Sequence, residues 1–281
     1  MYAPSLGRLH RSPHEAPDEA IPQKGTIRGQ TRGNFDKGGS TVPKPLILAT
    51  DLDGTLLGGQ KEAKERLYRR LSRRSKQDVL IFVTGRDLGF IQRIIQEDGV
   101  PSPDYIIGDV GTSVFEGKGF SPYHPIESDI ARNWQDKPER VHPMLDRIPG
   151  LTPQPGPFRH RLSYYYDKAF DPRTLDFLKG VEVDVLMSAG VYLDILPKGV
   201  NKGTTLLRLL DALTLPKEAV VCAGDTLNDL ALFETGLHGI VVGNAEPALV
   251  QKTAAMPNLY HSVGHGTGGI LEGLIHFGYE E

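Results

Sequence analysis

From residue 46 onward the chain alternates short apolar runs with amphipathic stretches. The runs at 46–50, 79–83, 103–107, 219–223 and 240–242 have the length and bounding turns of buried strands. Between them, residues 61–76 are mostly charged but carry Leu67 and Leu71 four apart, the spacing of a solvated helix with a narrow apolar face. Residues 88–97 place Phe90, Ile91, Ile94 and Ile95 on one side of a helix, and 201–213 do the same with Leu206, Leu207, Leu209 and Leu210. Strands alternating with helices predict an α/β core whose parallel sheet is joined by right-handed crossovers. Residues 121–197 interrupt that alternation. There, 130–148 reads as mostly helical with breaks at Pro138 and Pro143, and Trp134 reads as helix packing. The aromatics of 161–166 suit a strand, 174–179 a helix, and 181–187 and 191–196 two strands joined by a hairpin turn at Ser188-Ala189-Gly190. This β-α-β-β order predicts an α+β cap, 121–197, inserted between core segments 46–120 and 198–281.

The first 45 residues are rich in Pro, Gly, Ser, Thr and charge and show no periodicity, so a disordered N-terminal tail, 1–45, is expected. That stretch lacks the apolar core of a secretory signal. The 281 residues carry a net charge of −3, which argues against a nucleic-acid surface. No apolar run approaches the roughly 20 residues of a membrane span. Cys222 is the single cysteine, so no internal disulfide forms; it sits in an apolar run and reads as core. A cytoplasmic protein is the expectation.

The chemistry gathers where strands end, the place at which α/β sheets hold ligands. After 46–50 come Asp51 and Asp53, two carboxylates two residues apart followed by Gly and Thr. Because the chain turns there, both acids can aim into one cavity and serve a metal, a nucleophile or a proton donor. Thr84 and Gly85 follow the second run; a hydroxyl and nearby N–H groups there can hold phosphate oxygens. Asp109 and Thr112 follow the third run, Asp109 as a pocket border or as a turn residue. Lys202 lies in the first turn of a helix, where a cation is disfavoured, so a negative partner is expected. Asp225 and Asp229 are one helical turn apart and can face one side; oxygen donors of that kind suit Mg²⁺. In the inserted segment, Ser163, Tyr165 and Ser188 are candidate ligand contacts, with ordinary strand and turn residues as the alternative.

Four stretches in this order, Asp51-Leu52-Asp53-Gly54-Thr55, Thr84-Gly85-Arg86, Lys202 and Gly224-Asp225-Thr226-Leu227-Asn228-Asp229, resemble the motifs of the haloacid-dehalogenase-like hydrolases. The stretches 110–112, 193–198, 242–245 and 265–277 narrow the resemblance to the sucrose-phosphate phosphatase-like branch. The resemblance covers essentially everything after residue 45. It implies a Rossmann-like α/β core with an inserted cap, Mg²⁺ and a phosphorylated sugar or disaccharide. It also implies roles: Asp51 as nucleophile, Asp53 as acid–base, and Thr84, Gly85 and Lys202 on the phosphoryl oxygens. Asp51, Asp53 (through its carbonyl) and Asp225 would hold Mg²⁺, with Asn228 and Asp229 in support. Thr112, Ser163 and Ser188 are candidate substrate contacts. The branch tends to carry a Lys in the turn before its Leu-Asp-x-Leu-Pro stretch. Here 187–192 has none, which leaves sucrose 6-phosphate and mannosylfructose phosphate both open. Two alternatives remain: a non-catalytic sugar-phosphate-binding partner of a glycosyl-phosphate synthase, and a generalist sugar phosphatase or phosphomutase.

Overall fold

A computed structural model describes residues 44–279. The expected tail, 1–45, lies outside the described residues except for its last two. The elements in order are β1 (Ile47–Thr50), α1 (Lys61–Ser72), β2 (Val79–Val83), α2 (Leu88–Glu97), β3 (Tyr105–Gly108) and β4 (Ser113–Glu116). Then come α3 (His124–Trp134), α4 (Lys137–Leu145), β5 (Leu151–Pro153), β6 (Leu162–Tyr166), β7 (Val183–Ser188) and β8 (Tyr192–Pro197). The chain closes with α5 (Lys202–Ala212), β9 (Val220–Gly224), α6 (Leu230–Phe233), β10 (His238–Val241), α7 (Pro247–Thr253), β11 (Leu259–His261) and α8 (Thr267–His276).

Seven strands form one sheet in the order β11-β10-β9-β1-β2-β3-β4. Every neighbouring pair is parallel except β3–β4. β1 is central, with Ile47 opposite both Val79 and Val220. Side chains alternate across it. Leu48, Leu80 and Phe82 pack with Leu67, Leu71, Ile91, Ile94, Ile270 and Leu274 on one face. Ile47, Ala49, Ile81 and Val83 pack with Leu206, Leu209 and Leu210 on the other. Near-continuous burial of β1, β2 and β9 explains why they read as solid apolar runs rather than alternating ones. Central β1 thus fixes where Asp51 leaves the sheet.

The inserted segment contributes a separate antiparallel sheet, β5-β6-β8-β7. Trp134, Val141, Leu145, Tyr164, Leu193 and Ile195 form its apolar cluster, as expected for Trp134. Ile126 and Ile130, from the same helix as Trp134, pack instead with Val114 and Leu206 of the core. Ala189 and Gly190, with φ of 51° and 65° in the left-handed region, turn the β7–β8 hairpin between the paired Ser188 and Tyr192.

Two local expectations need correction. The break between α3 and α4 falls at Gln135, φ 24°, rather than at a proline. Pro138 sits at the start of α4, where its missing N–H costs nothing, and α4 continues through Pro143. Strand β5 escaped the sequence reading because it is three residues long and contains Pro153. Among the described residues no helix is long and apolar enough to cross a membrane.

Cys222 lies in β9 and is 1% exposed. Burial, reinforced by the Asp229 charge, pushes its thiol up to about 12. A raised thiol pKa means the neutral form persists through pH 7–9, and only the thiolate is nucleophilic. Cys222 is therefore expected to resist a disulfide exchange reagent at pH 8 and to react fully in denaturant; fast labelling of the native protein would contradict its placement.

Candidate active site

Asp51 follows β1 directly, and its N–H donates to the carbonyl of Ala223 at 2.9 Å, which fastens the loop to the end of β9. The backbone then turns through Gly54, φ 73°. A Cβ at Gly54 would stand 2.1 Å from Asp225 Oδ2, so both the left-handed backbone and the close carboxylate require glycine there. Thr55 Oγ donates to Asp225 Oδ1 at 3.0 Å, and Asn244 Nδ2 donates to the Gly54 carbonyl at 3.0 Å. Gly54→Ala is expected to displace Asp225, weakening Mg²⁺ binding by roughly tenfold or more by calorimetry, about 1.4 kcal/mol. Unchanged affinity would mean that Asp225 is not held by this turn.

Lys202 is the first residue of α5, whose N-terminus is capped by Asn201: its side chain accepts from Thr204 N while Thr204 Oγ accepts from Asn201 N. The Lys202 ammonium is fully buried. Its three donors go to Asp51 Oδ1 at 2.7 Å, Asn228 Oδ1 at 2.6 Å and Asp229 Oδ1 at 2.6 Å. Asp51 and Asp229 are the negative partners that the position at a helix N-terminus demanded, and Asn228 adds a neutral acceptor. Burial opposes the charge on Lys202, but Asp229 and Asp51 outweigh it and the net shift is upward. Asp229 folds back as well, its Oδ2 accepting from the N–H groups of Asp225 and Thr226, both at 3.0 Å.

Carboxylate oxygens of Asp51, Asp225 and Asp229 lie within 4.8 Å of one another. Burial raises Asp51 well above the usual carboxylate range, Lys202 opposing and Asp229 and Asp225 adding to it. Asp225 is pushed up to about 7, by burial first and then by the charge of Asp229. Three buried acids against one buried cation make an all-oxygen cluster with surplus negative charge, which suits a hard dication such as Mg²⁺. Both oxygens of Asp229 are spent on Lys202 and the backbone, so Asp51 and Asp225 are the better-placed ligands.

The side chain of Asp53 takes a two-point hydrogen bond from Arg86: Nε to Oδ2 at 2.8 Å and Nη2 to Oδ1 at 2.9 Å, with both side chains half exposed. Hydrogen bonding to Asp53 raises Arg86 further. Thr84 is fully buried and its hydroxyl oxygen accepts from Arg86 N at 3.1 Å. A cavity of about 210 Å³ lies between core and cap sheet. Asp51, Asp53, Gly85, Thr226 and Asn228 line it from the core, and Tyr165, Ser188, Tyr192 and Asp194 from the cap.

The structure thus brings Asp51, Asp53, Gly85, Asn228 and Ser188 to one cavity, with Lys202, Asp225 and Asp229 behind Asp51. Three other candidates do not line the cavity, and the first is Thr84, fully buried with its hydroxyl oxygen taken by Arg86 N. Thr112 Oγ donates to its own turn at the Asp109 carbonyl, 2.9 Å away, and Ser163 Oγ donates to Asp194 Oδ1 at 2.5 Å; neither lines the cavity. A hydroxyl in the loop after a strand, like that of Thr112, can close its own turn as readily as reach a ligand, and the sequence does not separate the two. Asp109, φ 51°, is buried against Ser113 Oγ at 2.8 Å. Arg161, Asp194 and Gln154 also line the cavity but were not singled out in the sequence. A signal existed for two of them: Arg161 shares strand parity with Tyr165, and Asp194 with Tyr192, so each pair lies on one face of the cap sheet.

Residues 44–278 match the family model described as sucrose-6F-phosphate phosphohydrolase. The chain belongs to the sucrose-6F-phosphate phosphohydrolase family. Within the haloacid-dehalogenase-like superfamily, this family member has an α/β core, a cap-like insertion and a buried aspartate cluster suited to Mg²⁺. It is 39% identical over 236 residues to the glucosylglycerol-phosphate synthase of Pseudomonas anguilliseptica, a match covering 83% of this chain and 31% of the synthase, about a third of its length. It is 31% identical over 245 residues to the mannosylfructose-phosphate phosphatase of Agrobacterium fabrum, covering 84% of this chain and 98% of that protein. The sucrose-phosphatase of Synechocystis, solved in complex with sucrose and phosphate, superposes with a TM-score of 0.75 at 28% identity, covering 83% of this chain and 98% of that one.

Proposed function

We propose that this protein is a Mg²⁺-dependent phosphatase that hydrolyses a glycosyl phosphate, a disaccharide phosphate first, in the cytoplasm. The observation that carries this reading is the buried Lys202, which bridges Asp51 and Asp229 beside Asp225 at the floor of a capped cavity. Asp51 Oδ attacks phosphorus and becomes an aspartyl phosphate. Lys202 orients Asp51 and, with the backbone around Gly85, neutralises the phosphoryl oxygens, so positioning and electrostatics supply much of the rate. Asp51, Asp225 and the carbonyl of Asp53 would hold Mg²⁺, which supplies charge neutralisation on the transferring group. Asp53, released from Arg86, protonates the departing sugar oxygen and then takes the proton of the water that attacks phosphorus; a positioned acid–base group is worth about 10²–10⁴-fold. Residues 121–197 act as the cap that excludes water during this sequence.

Binding of Mg²⁺ requires carboxylates. With Asp225 near 7 and Asp51 also raised by burial in the metal-free protein, affinity for Mg²⁺ is expected to strengthen as pH rises from about 5.5 through 7. Titration calorimetry at pH 6 and pH 8 checks the sign: tighter binding at pH 6 would contradict it.

Mannosylfructose phosphate and sucrose 6-phosphate are the substrates that the names of the relatives in Agrobacterium and Synechocystis support. A second reading, glucosylglycerol phosphate, is favoured by the higher identity to the Pseudomonas synthase. That relationship also supports a functional partnership with a glycosyl-phosphate synthase. Phosphate release with Mg²⁺ across these three compounds and a set of hexose phosphates tests the proposal. Strong preference for one of the three is expected. Even, weak activity would mean a generalist, intramolecular transfer without phosphate release a mutase, and inactivity on all a non-catalytic binding partner.

A further inference from the structure

The roof strand β8 places Asp194 in the cavity wall at 4% exposure. Its Oδ1 accepts from Arg161 Nη1 at 3.1 Å and Ser163 Oγ at 2.5 Å. Its Oδ2 receives no hydrogen bond from any described residue. Arg161 is as deeply buried, with Phe158 across its guanidinium at 4.2 Å. Its Nη2 donates to the Gly85 carbonyl at 2.9 Å and stands 3.6 Å from Asp109 Oδ1. One guanidinium therefore joins the cap roof to the turn that follows β2.

A buried carboxylate is costly unless its oxygens are hydrogen-bonded. Here both protein donors are directed to one oxygen, while the residue borders the substrate cavity. A phosphoryl group brings no donor and is repelled by a carboxylate, whereas a sugar brings several hydroxyl donors. Arg161 offsets the Asp194 charge that would otherwise act against an incoming phosphate.

We propose that Asp194 Oδ2 accepts hydrogen bonds from hydroxyls of the substrate's sugar, with Arg161 and Ser163 as the positioning residues that aim it. This inference rests on the glycosyl-phosphate reading above. Because Arg161 also grips the Gly85 carbonyl, the sugar contact is held in register with the phosphoryl end. That linkage turns sugar recognition into correct placement of phosphorus over Asp51.

The test compares wild type, Asp194→Asn and Ser163→Ala on sucrose 6-phosphate, mannosylfructose phosphate, glucosylglycerol phosphate and p-nitrophenyl phosphate, which has no sugar hydroxyls. In Asp194→Asn, Arg161 compels the amide oxygen to face itself, so the NH₂ group faces the cavity. The ratio of kcat/KM on the preferred sugar phosphate to kcat/KM on p-nitrophenyl phosphate is expected to fall about 10- to 100-fold, the range for a lost hydrogen bond to a charged group. The loss should reside mainly in KM. Ser163→Ala should shift the ratio in the same direction by less, and decides the matter if Asp194→Asn fails to fold. An unchanged ratio, or equal losses on both substrate types, overturns the inference alone. A wild type that hydrolyses p-nitrophenyl phosphate but prefers no sugar phosphate overturns the glycosyl-phosphate reading and this inference with it.

Discussion

Replacing Asp51 by Asn is expected to lower turnover by on the order of 10⁴-fold or more while leaving the fold intact, because the nucleophile is lost but its shape is kept. Asn can still accept from Lys202 through its amide oxygen, so the 2.7 Å contact survives in form. The surrounding apolar layer is untouched, since Asp51 makes no contribution to either core cluster. Removing one buried negative charge also relieves repulsion with Asp225 and Asp229, which both push Asp51 upward. The variant should therefore melt no lower than wild type in the absence of metal. Steady-state phosphate release and a thermal melt check the two halves separately. Ordinary turnover would exclude Asp51 as nucleophile, and collapse of the fold would mean that its role is structural.

Replacing Lys202 by Met has the opposite profile and is expected to damage both activity and stability. Its ammonium is the shared partner of Asp51, Asn228 and Asp229. Without it, two buried carboxylates lose their counter-charge, and breaking a buried pair from one side typically costs about 3–5 kcal/mol. For a domain of this size that corresponds to a fall in Tm of roughly 6–20 °C. The pH dependence has a definite sign. Losing Lys202 removes the charge that opposes the rise at Asp51, so the folded-state pKa of Asp51 climbs further above that of the unfolded chain. Ionising it is then costly only in the folded state, so the deficit is full above its folded pKa and shrinks as pH falls toward the ordinary carboxylate range. Melting Lys202→Met and wild type, metal-free, at pH 5 and pH 8 tests this: the gap should widen at pH 8. A gap of the same size at both would mean that Lys202 stabilises by packing rather than by charge.

The strands were legible because β1, β2 and β9 are buried on both faces and so appear as unbroken apolar runs. The acids were legible because each follows such a run directly, and Lys202 because a cation at a helix N-terminus asks for an anion. What the sequence did not show is how each polar side chain spends its hydrogen bonds. Asp53 and Arg86 are 33 positions apart, and only the fold makes them partners. Asp229 lies one turn from Asp225, as its spacing implies, yet it folds back onto backbone amides and Lys202 rather than standing free beside it. Ser163 in a strand and Thr112 in the loop before β4 were reasonable hydroxyls, but one donates to Asp194 and the other closes a turn. Arg161, just before β6, and Asp194, in β8, meet only when the β6–β8 register pairs Ser163 with Asp194. Long-range pairing of this kind leaves no periodic trace.

The most direct test of the account is to trap the covalent intermediate. Wild-type protein with Mg²⁺ is mixed with the preferred glycosyl phosphate, quenched within the first turnover, reduced with borohydride and mapped by peptide mass spectrometry. Reduction of an acyl phosphate converts that aspartate to homoserine, and the account expects the change at residue 51, dependent on both substrate and Mg²⁺ and absent from Asp51→Asn. Phosphate release without any adduct, or an adduct at Asp53 or Asp225 instead, would contradict it.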